Sequence, residues 1–241
     1  EIFAASRRLK AGVARGERPP LLEGRVLTQV FEKPSLRTRV SFEAAMMQLG
    51  GSSVFLSAQD AGIGGREAVR DVARVLGGYS DVIVLRTFSE QLIDDFVTYS
   101  GTSIINGLSD DRHPCQALTD LFTMQEVCGS LQGKKLVFVG DGNNVATSLA
   151  ATCAQLGVAM TICAPPEYRL PEEFLAMILD CCPNFAIEQT TDFKTALADA
   201  DIVYTDVWTS MGQEAEAQER RVTFAPYQVD AHLMQSAPPR A

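Results

Sequence analysis

Histidine and tryptophan are scarce in this chain: 241 residues contain two His and one Trp. A histidine-rich metal centre is excluded on that count. The six cysteines, at positions 115, 128, 153, 163, 181 and 182, do not supply one either, because none of their separations is a metal-ligand spacing. No apolar run approaches the roughly 18 residues of a membrane span, and no repeat or low-complexity tract is present. The first nine residues carry charge at both ends of a short apolar stretch, so no secretory leader is read there. Positive charge is also in deficit, with 21 Lys and Arg against 30 Asp and Glu, a net charge of −9. A nucleic-acid partner needs a broad basic surface and is not expected. Any anion site must be a local gathering of cations on an acidic protein. Cysteines in apolar runs, such as Thr161-Ile162-Cys163, read as buried small hydrophobes. Reduced thiols in the cytoplasm are the expected state.

An ordinary globular mixture remains, 46% apolar and 21% charged, long enough for two modest α/β domains. Short β-branched apolar runs at residues 54–56, 82–86, 103–106, 136–139, 159–163, 186–188 and 202–204 read as strands. Helical patterns alternate with them at 37–49, 67–76, 91–99, 116–127, 145–156, 171–179, 193–198 and 213–221. This alternation predicts an α/β protein of two domains, each a parallel sheet flanked by helices. Cys128-Gly129-Ser130-Leu131-Gln132-Gly133 is the best boundary, dividing a domain at 1–128 from one at 133–241. The end at Pro238-Pro239 is where a helix would stop.

Three segments concentrate cations and polar groups at expected sheet rims. In Phe31-Glu32-Lys33-Pro34-Ser35-Leu36-Arg37-Thr38-Arg39, Ser35 is a natural helix N-cap. The helix start offers free N–H groups and a positive dipole end, and Arg37, Arg39, Ser35 and Thr38 add charge and donors. Spacing alone leaves a plain amphipathic helix with surface arginines as the alternative. Arg86 ends the apolar run 82–85, and ligands of open α/β sheets bind beyond the carboxyl ends of strands. Asp111-Arg112-His113-Pro114-Cys115-Gln116 then places a histidine in a loop and Gln116 at a helix start.

A second group lies further along. Val139-Gly140-Asp141-Gly142-Asn143-Asn144-Val145 is a strand entering a tight turn and a helix. The dinucleotide fingerprint is unmet, with Val145 where its last glycine belongs and no acidic residue closing the following strand. Asn143 and Asn144 present amides suited to an amino acid's polar ends. Asp206 follows the last apolar run, with Ser210 and Met211 in the loop beyond. A carboxylate there can anchor an ammonium, and a Met can wall its methylenes. Turn-capping and loop-packing roles are the alternatives for Asp206 and Met211.

These segments resemble the aspartate and ornithine carbamoyltransferases. The stretch 31–43 resembles that family's phosphate loop, Ser-Thr-Arg-Thr-Arg, with Leu36 in place of the first Thr, a position that acts largely through its backbone. His113-Pro114-Cys115-Gln116 resembles the family's His-Pro-x-Gln. Gly140 to Asn144 and Asp206-x-x-x-Ser210-Met211-Gly212 resemble the ornithine-specific members. The resemblance implies that Ser35, Leu36, Arg37, Thr38, Arg86, His113 and Gln116 bind carbamoyl phosphate, with Arg37, Arg86 and His113 acting in catalysis. It implies that Asn144, Asp206, Ser210 and Met211 bind L-ornithine. It further implies a homotrimer and chemistry that needs no cofactor. The loop 60–67 lacks the Gln or Lys with which many relatives reach a neighbouring subunit; Gly62 stands there, and Arg66 is the candidate substitute. The family's His-Cys-Leu-Pro motif is not found, since Cys181-Cys182-Pro183 lacks the His, so a chain shortened at both ends is expected.

Overall fold

The computed structural model describes residues 1–65, 67–210, 212–239 and 241. The chain forms two compact units, Glu1–Asp110 and Asp111–Ala241. Each is built on a four-stranded, all-parallel sheet, as the alternation of strands and helices predicts. No described helix is long and apolar enough to cross a membrane.

The first unit contains α1 (Ile2–Ala14), β1 (Val26–Phe31), α2 (Leu36–Gln48), β2 (Ser52–Ser57), α3 (Val69–Tyr79), β3 (Val82–Arg86), α4 (Glu90–Tyr99) and β4 (Ser103–Leu108). Its strands lie in the order β2-β1-β3-β4. Sequence reading assigns no strand to β1, yet β1 sits at the centre of the sheet. Thr28 and Gln29 interrupt its apolar run, and both are buried. Their polar atoms find side-chain partners: Thr28 Oγ1 lies 2.6 Å from Ser80 Oγ, and Gln29 Nε2 donates to Ser53 Oγ at 3.1 Å. Alternation along the strands then fills two cores. Val30, Ile83 and Leu85 face α3 and α4, joining Val72, Ala73, Ile93 and Phe96. Leu27, Phe31 and Val84 face α2 and its Met46. The connections leaving β1 and β3 therefore run to opposite faces of the sheet. Phe31 pairs with Arg86, so the two strands end level and open a crevice where the winding reverses.

The second unit contains α5 (Pro114–Cys128), β5 (Lys135–Val139), α6 (Asn144–Leu156), β6 (Ala159–Cys163), α7 (Glu172–Cys181), β7 (Ile187–Thr190), α8 (Phe193–Leu197), β8 (Ile202–Tyr204), α9 (Ala217–Phe224) and α10 (Ala231–Met234). Its order is β7-β6-β5-β8, so its winding reverses between β5 and β8. Leu136, Val137, Phe138 and Val139 of β5 are wholly buried. Most of the first half of α6, against which α5 packs, is buried as well. That packing places α5 in the second unit and puts the division between units at Asp110/Asp111, ahead of the composition boundary at 128–133. The helix expected at 213–221 is a 3-10 turn at Glu214–Glu216 followed by α9. Cys153 and Cys163 are the buried small hydrophobes expected of them, and burial pushes both thiols up to about 12.

Two adjacent glycines of α3 face different surroundings. A Cβ on Gly77 would stand 1.8 Å from the Ser100 carbonyl oxygen, whereas a Cβ on Gly78 would meet nothing within 4 Å. Gly77→Ala is expected to lower unfolding free energy by about 1–3 kcal/mol through overpacking. Gly78→Ala is expected to raise it by about 0.5–1 kcal/mol, because alanine loses less backbone entropy in a helix. Urea denaturation of the two variants checks both signs.

Candidate active site

In the first unit the crevice between β1 and β3 is lined from both sides. Ser35 caps α2 in extended conformation, its Oγ accepting from Thr38 N at 3.4 Å and lying 3.0 Å from Thr38 Oγ1. That leaves the first-turn N–H groups of Leu36 and Arg37 as orphan donors at the positive end of a 13-residue helix. The Leu36 side chain is 78% exposed, so this residue offers the site its backbone. Arg86 closes β3 with 7% exposure, and its buried Nε has no hydrogen-bond partner among the described residues. Burial, then the nearby charge of Arg37, pushes the Arg86 guanidinium below its ordinary range. Two repelling cations beside capped helix donors form a site shaped for an anion.

Arg39 departs from expectation. Its Nε binds Glu43 at 2.9 Å and its guanidinium covers the Phe55 ring at 3.9 Å, so it supports the outer face of α2 instead of the crevice. Two residues missed in sequence frame the loop. Lys33, 4% exposed, pairs with Asp110 and lies 4.4 Å over the Phe88 ring. Glu32 accepts from the Thr87 hydroxyl and, at 3.1 Å, from Phe88 N. The loops after β1 and β3 are thereby locked together. Among the described residues, Ser35, Arg37, Thr38 and Arg86 come together as predicted.

In the second unit, His113 stands at the N-cap position of α5, with Gln116 in the first turn. Their loop is tied to α6: His113 N donates to Ser148 Oγ at 2.7 Å, and Thr147 Oγ1 donates to Asp111 O at 2.7 Å. Gln116 Nε2 donates to Asp120 at 2.8 Å, and the same carboxylate accepts from Tyr204 OH at 2.7 Å.

The β5–α6 turn passes so close to the 168–170 backbone that only glycine fits at 142. A Cβ there would lie 2.8 Å from Arg169 C and Leu170 N. Asn143 does not present a spare amide. Its Oδ1 caps α6 by accepting from Val145 N and Ala146 N, and its Nδ2 donates to Asp206 at 3.3 Å. Asn144 opens α6 beside it, and Asp206 follows β8 across the crevice between β5 and β8. Ser210 N donates to Gln213 Oε1 at 3.0 Å, while Met211, like Arg66, lies outside the described residues.

Sequence reading also missed what holds this rim. Arg220 of α9, 6% exposed, donates to Asp141 at 2.6 Å, to Glu216 at 2.9 Å and to the Trp208 carbonyl at 3.1 Å. It pins the loop after β8 to the turn after β5. Burial outweighs this pairing and holds the Asp141 carboxyl above the usual carboxylate range.

Residues 1–126 match the family model for the aspartate/ornithine carbamoyltransferase carbamoyl-P binding domain, and residues 132–241 match that family's Asp/Orn binding domain. The chain belongs to the aspartate/ornithine carbamoyltransferase family. Among its relatives, the ornithine carbamoyltransferase of Anoxybacillus flavithermus is 48% identical over 95% of this chain and 74% of that protein. The anabolic ornithine carbamoyltransferase of Pyrococcus furiosus is 43% identical over 99% of this chain and 76% of that protein. A solved ornithine carbamoyltransferase from P. furiosus superposes with a TM-score of 0.92 at 43% identity, covering 99% of this chain and 77% of that one. A mitochondrial ornithine carbamoyltransferase from Coccidioides immitis gives 0.87 at 28% identity, over 98% and 77%. The two-domain α/β architecture of the family is thus the architecture of this chain.

Removing the Arg220 cation while keeping Asp141 leaves a buried unpaired carboxylate. Arg220→Met is expected to lose about 3–5 kcal/mol at neutral pH. Without the cation the folded pKa of Asp141 rises further above its unfolded value. Proton binding then favours the folded state, and stability falls as pH rises through that folded pKa. The deficit against the native chain should shrink toward acid, as urea titrations at pH 5 and pH 8 would show. A deficit equal at both pH values would contradict this account.

Proposed function

We infer that this chain transfers the carbamoyl group of carbamoyl phosphate to the side-chain amine of L-ornithine, giving L-citrulline and phosphate in arginine biosynthesis. The observation that carries the reading is Arg86, buried at the carboxyl end of β3 beside the capped start of α2 and Arg37. Ser35, Leu36, Arg37, Thr38 and Arg86 hold the phosphate, and His113 with Gln116 receives the carbamoyl end. Residues 1–128 are assigned to carbamoyl phosphate and 133–241 to ornithine.

The step forms a C–N bond and breaks the C–O bond to phosphate. A neutral amine attacks the carbamoyl carbon, negative charge develops on the carbonyl oxygen, and phosphate leaves. Arg86 and His113 stabilise that oxygen and Arg37 the departing phosphate. The amine's proton goes to the phosphate. Atoms balance without a cofactor, and rate comes largely from holding the two reactants in line.

The amine rim favours ornithine over aspartate. Asp206 gives this unit's crevice negative character, since Asp141 is matched by Arg220, and Asn143 orients Asp206. An α-ammonium is attracted there and a second carboxylate repelled. Asn144, Ser210 and Met211 complete the ornithine contacts in this reading. A cytoplasmic homotrimer is part of the same proposal, drawn from family likeness. Its net charge of −9 argues against nucleic-acid and anionic-membrane partners.

The test is a citrulline assay with carbamoyl phosphate and ornithine, run beside aspartate and putrescine. Product from ornithine alone is expected. In His113→Ala, turnover should fall by about a hundredfold or more, with phosphate affinity little changed. Carbamoylation of another amine instead would overturn the assignment of Asp206, and no product from any amine would overturn the enzyme reading.

A further inference from the structure

Gln116 and Tyr204 meet on one carboxylate. Asp120 lies one turn beyond Gln116 on α5 and accepts its Nε2 at 2.8 Å through one oxygen. Through the other oxygen it accepts Tyr204 OH at 2.7 Å, from a residue 84 positions away in sequence. The Tyr204 ring is itself fixed, stacked on Phe138 of β5 with centroids 5.4 Å apart and planes 19° from parallel. Tyr204 ends β8, two residues before Asp206.

The chemistry of these three groups determines which way the Gln116 amide faces. An ionised carboxylate only accepts hydrogen bonds. Facing Asp120, Gln116 must present its NH2, and its Oε1 is turned away as an acceptor. A site that offers an acceptor selects a ligand carrying an N–H donor. We propose that Asp120, anchored by Tyr204, is a positioning residue that fixes the Gln116 amide so that its oxygen receives the carbamoyl NH2, and that this discriminates carbamoyl phosphate from acyl phosphates lacking the amine. The inference deepens the preceding reading and rests on its assignment of Gln116 to the carbamoyl end. The arrangement also joins the start of α5 to the end of β8, so the carbamoyl-binding turn and the strand leading to Asp206 share one anchor.

Two substitutions at Asp120 separate this role from simple structural support. Asp120→Leu removes the acceptor while keeping a side chain of similar size, so the Gln116 amide is no longer held in one direction. Asp120→Asn can turn either its oxygen or its NH2 toward Gln116, because the Tyr204 hydroxyl accepts as well as donates, so both directions of the Gln116 amide become populated. Tyr204→Phe keeps the ring stack and the Asp120 carboxylate, so the amide keeps its direction.

Steady-state kinetics with ornithine reads this out as KM for carbamoyl phosphate against the inhibition constant of acetyl phosphate, which has a methyl where the amine would be. Asp120→Leu should raise KM about tenfold, the scale of one hydrogen bond lost. Asp120→Asn should raise it by a smaller factor, roughly two- to fourfold, because part of the population keeps the native amide direction. Acetyl phosphate inhibition should stay within about twofold in both, since that ligand makes no such bond. Tyr204→Phe should shift KM by less than about threefold, the scale of one weakened neighbour bond. Equal weakening toward both anions in either Asp120 variant, or no weakening in either, would overturn the inference. Native protein that forms no citrulline would sink the underlying reading first, and that result is visible before any variant is made.

Discussion

The constraint on which the first unit depends is the burial of the Arg86 guanidinium without a carboxylate partner among the described residues. A buried cation is costly unless something negative meets it. Burial, then the charge of another cation, Arg37, holds Arg86 below its ordinary range. The surroundings make the arrangement rigid. Arg86 O accepts Glu32 N at 2.8 Å, Glu32 holds Thr87 and Phe88, and Lys33 holds Asp110. Glu32, the carboxylate that follows β1, is turned to framing these loops and does not neutralise the site. In the proposed function, phosphate supplies the negative charge that the fold leaves open.

The second unit orders its strands differently but also reverses its winding, between β5 and β8, and carries the opposite sign there. Its crevice between β5 and β8 carries Asp206, while the one well-buried cation there among the described residues, Arg220, is committed to Asp141, Glu216 and the Trp208 carbonyl. In the proposed function an anionic ligand is served by the first sheet and an ammonium by the second, each where a parallel sheet reverses its winding.

Much of this was legible in the residues. Val82–Arg86 and Lys135–Val139 are short apolar strands followed by polar turns, and Ser35 before Leu36-Arg37 announces a helix start. Asp206 and Asn144 fall at the rim their strand and helix require. What escaped has a common cause. β1 was hidden because Thr28 and Gln29 are satisfied by Ser80 and Ser53, partners that no local window contains. Lys33 with Asp110, Arg220 with Asp141, and Tyr204 with Asp120 are pairs separated by 77, 79 and 84 residues. Arg39 is the exception, since Glu43 four residues on is the partner that helix spacing favours. Asn143 shows the limit from the other side. Its place at a rim was readable, but its amide proved to be engaged by the α6 cap and Asp206.

The most direct test of the central claim is thermal unfolding of the native chain and Arg86→Met across a series of phosphate concentrations. A ligand that binds only the folded state raises Tm as its concentration climbs above its Kd. The native chain should gain Tm as phosphate increases. Arg86→Met should be at least as stable without phosphate, because a buried unpaired charge has been replaced by an apolar chain of similar length, and it should lose most of the phosphate response. A variant that is much less stable without the anion, yet keeps the full phosphate-dependent rise, would show that Arg86 serves packing and that the anion is held elsewhere.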